Sequence, residues 1–310
     1  MNGLRTWAMA ARPRTLPAAV APVLVGSAAA WAYTIPRVST GPGTIEITWG
    51  PDLFSWGNFV AALIGATFIQ IGTNLANDYS DAKRGADTVD RLGPVRVTAA
   101  GLVAPRRVLY ATWVAFGVAA LAGLYLVTQV GPEILVIGIL SIAAGVLYTG
   151  GPKPYGYEGL GEVFVFVFFG LVAVNGSYYV QLEDLHALPV LLSIPIGLLS
   201  AAILVVNNVR DIDTDRRAGK RTLAVRIGRE RSRDLYVAMI AGSYVLLPIA
   251  LIAGDGSGWA MLGLLSIPLA VPPIRAVRER TDGPALNGAL AGTGALLAVY
   301  ALLVAVGLLI

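Results

Sequence analysis

Two groups of residues in this 310-residue chain have the types and spacing to do chemistry. The first is Asn74, Asn77, Asp78 and Asp81, followed by Lys83, Arg84 and Asp87; the second is Asn207, Asn208, Arg210, Asp211, Asp213 and Asp215, followed by Arg216, Arg217, Lys220 and Arg221. On a helix turning about 100° per residue, Asn74, Asn77, Asp78 and Asp81 fall at i, i+3, i+4 and i+7 and share a face. Asp211 and Asp215 share another, whereas Asp213 faces away. Converging carboxylates repel one another unless cations join them. Clusters rich in hard oxygen suit divalent ions, above all Mg²⁺, which keeps some waters and is completed by substrate phosphates. We therefore expect Asp78, Asp81, Asp211 and Asp215 to hold metal, with Asp87 reaching in from a loop. Lys83, Arg84, Arg96, Lys153, Arg210, Lys220 and Arg221 are placed to offset phosphate charge, beside Asn74, Asn77, Asn207 and Asn208.

The elements that must position these groups are membrane helices. The chain is 56% hydrophobic and only 14% charged, with a mean hydropathy of +0.69; soluble domains carry roughly 25% charged residues. Apolar runs near 16–33, 59–76, 108–129, 134–149, 160–180, 188–206, 235–253, 257–274 and 285–308 predict nine spans of an all-α, polytopic membrane protein, one domain over 1–310. Of the 23 Lys and Arg residues, all but Arg37 fall on one side of that arrangement, which predicts the N-terminus and both acidic clusters in the cytoplasm and the C-terminus outside. The basic start followed by an apolar run reads as a retained first helix rather than a signal peptide.

Other classes are excluded or demoted. Topology accounts for the net charge of +4, so no nucleic-acid partner is expected. Without cysteine there is no disulfide or thiol chemistry, and the single histidine, His186, falls in an outer loop away from the clusters. Residues 35–52, rich in Pro and Gly, read as an outer loop. Helix capping accounts for any one aspartate, but not for two Asn/Asp arrays at apolar helix ends on one membrane side. A cation-coupled transporter remains the competing class, although its ionisable site belongs nearer the midplane.

At these residues the chain resembles the UbiA superfamily of intramembrane prenyltransferases. The resemblance rests on the two separated Asp motifs and on Ala11–Pro17 (Ala-Arg-Pro-Arg-Thr-Leu-Pro), Thr73–Tyr79, Gly93–Arg96, Tyr148–Pro152 with Gly159–Glu162, and Gly219–Leu223. It implies a helical bundle around a central cavity, Mg²⁺ ions, two in number, bridging an isoprenoid diphosphate, and catalytic roles for Asp78, Asp81, Asp211, Asp215 and Lys220. The stretches look most like the branch that prenylates 1,4-dihydroxy-2-naphthoate with decarboxylation, giving demethylmenaquinone in the cell membrane. Hydroxybenzoate, homogentisate and non-aromatic acceptors stay open. Tyr148 and Glu162 are candidates to line the ring pocket or orient the metal-site residues, and Arg12 and Arg14 read first as membrane-interface anchors and second as candidate carboxylate contacts. Two departures stand out: Gly85 replaces an aspartate common four residues after Asp81, and Tyr148 and Lys153 are five apart rather than four.

Overall fold

The computed structural model describes residues 3–34, 37–41, 44–48, 54–85, 92–93 and 95–310. Its helices are α1 (Gly3–Ala11), α2 (Pro17–Thr34), α3 (Trp56–Lys83), α4 (Pro105–Gln129), α5 (Glu133–Leu147), α6 (Gly161–Val165), α7 (Ala173–Leu182), α8 (Ala187–Arg217), α9 (Leu223–Ile227), α10 (Arg229–Ala253), α11 (Ile267–Glu279) and α12 (Gly283–Leu309). A π-helical turn, Phe166–Val172, joins α6 to α7 into one crossing, and a 3₁₀ stretch, Gly258–Ser266, leads into α11. Eight helical segments among the described residues are long and apolar enough to cross a membrane. The ninth expected span, α5, has 15 residues and falls short of the ~20 that a hydrocarbon core requires.

Length explains where the acidic arrays lie. At ~1.5 Å per residue, about twenty residues cross a core some 30 Å thick. Counted from Trp56 and from Ala187, those residues end at Leu75 and Val206, where the polar arrays begin; α3 and α8 continue to 28 and 31 residues. The overhanging turns carry the Asn and Asp side chains. They are helix C-termini, where the macrodipole disfavours carboxylates, so N-capping does not explain them.

The predominantly apolar part of α8, buried over most of its length, is the axis of the bundle. It lies along α10, while α12 lies along α2 and α3 along α4. The main core joins Val25, Val174, Leu199, Val206, Tyr236, Leu297 and Tyr300, each no more than 1% exposed. The π turn presses close to α8: a Cβ on Gly170 would lie 2.7 Å from the Gly197 Cα, so only glycine permits that approach. Residues 35–52 are not wholly irregular, because β1 (Arg37–Gly41) and β2 (Thr44–Thr48) pair as an antiparallel hairpin. The Pro and Gly content of 35–52 hid its short strands.

Candidate active site

A cavity of about 480 Å³ runs into the bundle from the ends of α3 and α8. Its deeper wall is apolar, with Ala66, Ile69, Leu124, Leu135, Phe168 and Val172. Its polar head is ringed by Arg12, Asn74, Asn77, Asp81, Arg96, Asn207, Asn208, Asp211, Asp215 and Lys220.

Asp81 is the electrostatic centre of the α3 side. It is 1% exposed, pairs with Arg96 Nη2 at 2.6 Å and lies 3.5 Å from Lys220 Nζ. The Tyr157 hydroxyl donates to its other oxygen at 2.5 Å. Tyr157 sits in the loop ahead of α6, and burial together with the adjacent Asp81 charge pushes its phenol well above the usual range. Lys220 Nζ lies 4.6 Å from the centre of the same ring. Asn74 holds the entry loop by donating to the Ala11 carbonyl at 2.9 Å and to Thr15 Oγ1 at 3.2 Å. That loop contains Arg12, whose φ of 53° is unusual for a side-chain-bearing residue. Asn77 Oδ1 accepts from Thr149.

Asp78 lies elsewhere. It is 2% exposed but absent from the cavity wall, and its two oxygens accept the Val97 and Thr98 backbone N–H groups, each at 3.0 Å. With Asn74 as origin, Asn77, Asp81 and Asp78 fall at about −60°, −20° and +40° around α3. Asp78 is therefore on the flank facing the 95–100 turn. It anchors the segment that delivers Arg96.

On α8, Arg210 clasps Asp211 with two bonds of 2.8 and 2.6 Å and also donates to Asn207 Oδ1 and Asn287 Oδ1. Its side chain has no exposed area. Asn287 Nδ2 in turn donates to the Leu92 carbonyl, tying α12 and the α3–α4 connection to the second array. Asp215 completes the face. Asp213 points outward to Arg229 at 2.8 Å and is 68% exposed.

The structure corrects the expected crowd of carboxylates. Among the described residues, the Asp, Glu, Lys and Arg side chains lining the cavity are three acids, Asp81, Asp211 and Asp215, and three bases, Arg12, Arg96 and Lys220. Among the described residues no three His, Cys, Asp or Glu side chains converge into a metal cluster. Several expected phosphate contacts are also displaced. Lys83, Lys153 and Arg221 are exposed and outside the cavity wall, and Arg84, also exposed, donates to the Gly151 carbonyl. The reasons are local: Lys83 is two residues, about 200°, past Asp81, and in the non-helical run 220–222 Lys220 and Thr222 line the cavity while Arg221 between them is exposed. Arg14 is exposed too. Asp87 lies outside the described residues.

Tyr148 lines the cavity beside an aromatic wall. Its ring meets Tyr155 edge-on at 5.5 Å, Tyr155 stacks on Phe164 at 3.9 Å, and Phe164 faces Phe168 at 6.0 Å. His186 sits at the start of α8, bonded to the Tyr178 hydroxyl at 2.6 Å and stacked on Tyr33. Sequence reasoning overlooked Tyr157, Thr149 and Asn287. Nothing in their spacing distinguishes them, although the aromatic pair in Pro154-Tyr155-Gly156-Tyr157 stands out in a loop on the charged side.

Comparison with known proteins shows the family of the chain. Residues 38–287 match the UbiA prenyltransferase family. The chain belongs to that family. It is 42% identical over 306 residues to the 1,4-dihydroxy-2-naphthoate octaprenyltransferase of Mycobacterium tuberculosis, covering 98% of this chain and 97% of that one. It is also 37% identical over 303 residues to the enzyme of the same name from Escherichia coli, with 94% and 92% covered. Among solved structures, the apo UbiA homolog from Aeropyrum pernix K1 superposes with a TM-score of 0.68 at 14% identity over 94% of this chain and 97% of that one. The UbiA homolog from Archaeoglobus fulgidus bound to DMAPP and Mg²⁺ gives 0.56 at 14%, over 97% and 99%. These likenesses place the fold of this UbiA member as a multi-pass, helical membrane protein.

Proposed function

We propose that this chain transfers a polyprenyl group from an allylic polyprenyl diphosphate to 1,4-dihydroxy-2-naphthoate, with loss of the carboxylate as carbon dioxide, giving the hydroquinone form of demethylmenaquinone. The observation that carries the reading is the single cavity in which Asp81, Asp211 and Asp215 from two helix ends meet Arg96 and Lys220 above an apolar, aromatic-walled tunnel. The names of the relatives in Mycobacterium tuberculosis and Escherichia coli support the acceptor.

The residues fit magnesium. Hard carboxylate oxygens at the cavity head suit it, and lining acids and bases that already balance leave an arriving diphosphate in need of further positive charge. Asp81, Asp211 and Asp215 would hold it, with Asp87 a further candidate from the adjoining connection. Magnesium held there, as two ions in the reading proposed, would supply positive charge to offset that gathering on the diphosphate leaving group. The UbiA homolog from Archaeoglobus fulgidus bound to DMAPP and Mg²⁺ supports magnesium as the ion.

The chain's own groups then have distinct work. Arg96 and Lys220, now on Asp81, turn donors toward the departing diphosphate. Asp78 fixes the turn beside Arg96. Tyr157 keeps its proton and holds one Asp81 oxygen in place. The apolar wall excludes water while the allylic C–O bond breaks and a C–C bond forms at the carboxyl-bearing ring carbon. Loss of carbon dioxide returns its bonding pair to the ring and restores aromaticity.

We place the protein in the plasma membrane, as a single domain, with the N-terminus and the cavity mouth cytoplasmic and the C-terminus outside. Support comes from the side on which the basic residues fall. Single-cysteine labelling in this cysteine-free chain tests the orientation. Residues 83–85 and 216–221 should label from the cytoplasm and residues 183–185 from outside. Labelling of the two acidic helix ends from opposite sides would break the shared site.

A further inference from the structure

Glu162, in the first turn of α6, is a buried carboxylate that the mechanism above leaves idle. It is 4% exposed and does not line the cavity. One oxygen, Oε1, accepts from Asn208 Nδ2 at 2.8 Å; the other, Oε2, is fully occluded without a hydrogen-bond partner. A carboxylate held away from water costs several kcal/mol unless something compensates. A membrane protein that keeps one beside its reaction cavity gains something by its presence.

The gain lies in the orientation of Asn208. The Asn208 carboxamide turns its nitrogen toward Glu162, whose Oε1 accepts from it. Its oxygen then faces the other way. Asn208 is itself 5% exposed and borders the cavity. Around α8, with Leu204 as origin, the cavity-facing residues Asn207, Asp211 and Asp215 fall at about −60°, −20° and +20°, and Asn208 at about +40°, on the flank toward α6. That flank carries the aromatic wall of Tyr148, Tyr155, Phe164 and Phe168, a surface suited to a flat ring.

We propose that Glu162 is a positioning residue that locks the Asn208 carboxamide oxygen toward the cavity, where it accepts a hydrogen bond from a ring hydroxyl of the aromatic acceptor. This rests on the prenyl-transfer reading above. The bond raises electron density on the ring and so its nucleophilicity toward the allylic cation. A flipped carboxamide would present two N–H donors to the same hydroxyl, lose that assistance and disfavour the phenolic proton.

The test is polarity inversion at this pair, using the full-length detergent-purified protein with Mg²⁺, a labelled polyprenyl diphosphate and 1,4-dihydroxy-2-naphthoate. Glu162→Leu removes the lock and should raise the KM for the aromatic acceptor roughly tenfold, the size of one neutral hydrogen bond. The KM for the prenyl diphosphate and the Mg²⁺ half-saturation should stay within about twofold on the same scale. Asn208→Asp alone sets two carboxylates against each other and should cost more than Glu162→Leu. The double variant Glu162→Gln with Asn208→Asp restores the hydrogen bond with its direction reversed and still presents an oxygen to the cavity. It should recover to within about threefold of the unaltered protein. A double variant no better than Asn208→Asp would overturn the proposal. So would a change confined to Mg²⁺ half-saturation, which would make Asn208 part of the metal site. Failure of the unaltered protein to prenylate the ring at all would instead remove the functional reading.

Discussion

Replacing Asp78 with Asn separates two roles that its sequence position makes indistinguishable. Both carboxylate oxygens accept backbone N–H groups, Val97 and Thr98, in a site only 2% exposed. Asn keeps the shape but offers one acceptor, and its amide nitrogen then opposes the second N–H. A hydrogen bond to a charged group is worth about 1.5–3 kcal/mol, so losing one and weakening the other costs roughly 2–3 kcal/mol in the docking of the 95–100 turn. At about 1.4 kcal/mol per factor of ten, the docked fraction relative to the undocked falls on the order of 30–150-fold. Backbone hydrogen exchange at Val97 and Thr98 should accelerate by that factor if the turn opens locally. Turnover should fall because Arg96, the next residue, loses its place on Asp81. Unchanged protection of both amides in Asp78→Asn protein that has nevertheless lost activity would refute the anchoring account and return Asp78 to the metal ligands.

Other substitutions divide the arrays further. Asp81→Asn and Asp211→Asn should each lower turnover by at least 10²-fold, on the order of losing one charged group in a preorganised site; the second should also lower the thermal midpoint, because a wholly buried Arg210 loses its carboxylate. Wild-type turnover in either at saturating Mg²⁺ would contradict the site. Lys83→Ala, Lys153→Ala and Asp213→Asn, all exposed, should leave kcat within about twofold and stability within roughly 0.5 kcal/mol; a large loss in any would mean that the cavity wall is misassigned. Tyr157→Phe should reduce kcat several-fold without altering the shape of the pH profile between 7 and 10. The folded-state pKa is raised, so the phenol's proton, and the stability it contributes, persist through its ordinary value of 10.0 and decline only at higher pH. A high-pH limb near 10 that disappears in the Phe variant would show Tyr157 ionising in that window.

Much of this was legible before folding. The 3.6-residue period placed Asn74, Asn77 and Asp81 on one face and Asp213 outside, because a long regular helix transmits phase faithfully. Phase could not say which edge of that face meets the cavity. The 40° that sets Asp78 against Val97 and Thr98 depends on a turn contributed by another segment. Basic residues were the least legible, since topology and phosphate binding both place Lys and Arg on the same side. Their fates rest on local matters such as the alternation that turns Lys220 in and Arg221 out. The apolar run near 285–308 predicted a span and no site residue, yet its Asn287 links Arg210 to the Leu92 carbonyl. A lone amide in an apolar helix has no partner until the bundle supplies one.

The most direct measurement of the central claim follows carbon and phosphate together. Purified protein would receive Mg²⁺, a long-chain allylic polyprenyl diphosphate and 1,4-dihydroxy-2-naphthoate labelled at the carboxyl carbon, with release of diphosphate and of labelled carbon dioxide recorded in parallel. The account predicts one carbon dioxide per prenylated ring, stoichiometric with diphosphate, and loss of both on chelation of magnesium. Prenylation with the carboxyl label retained, or turnover that continues without divalent metal, would contradict it.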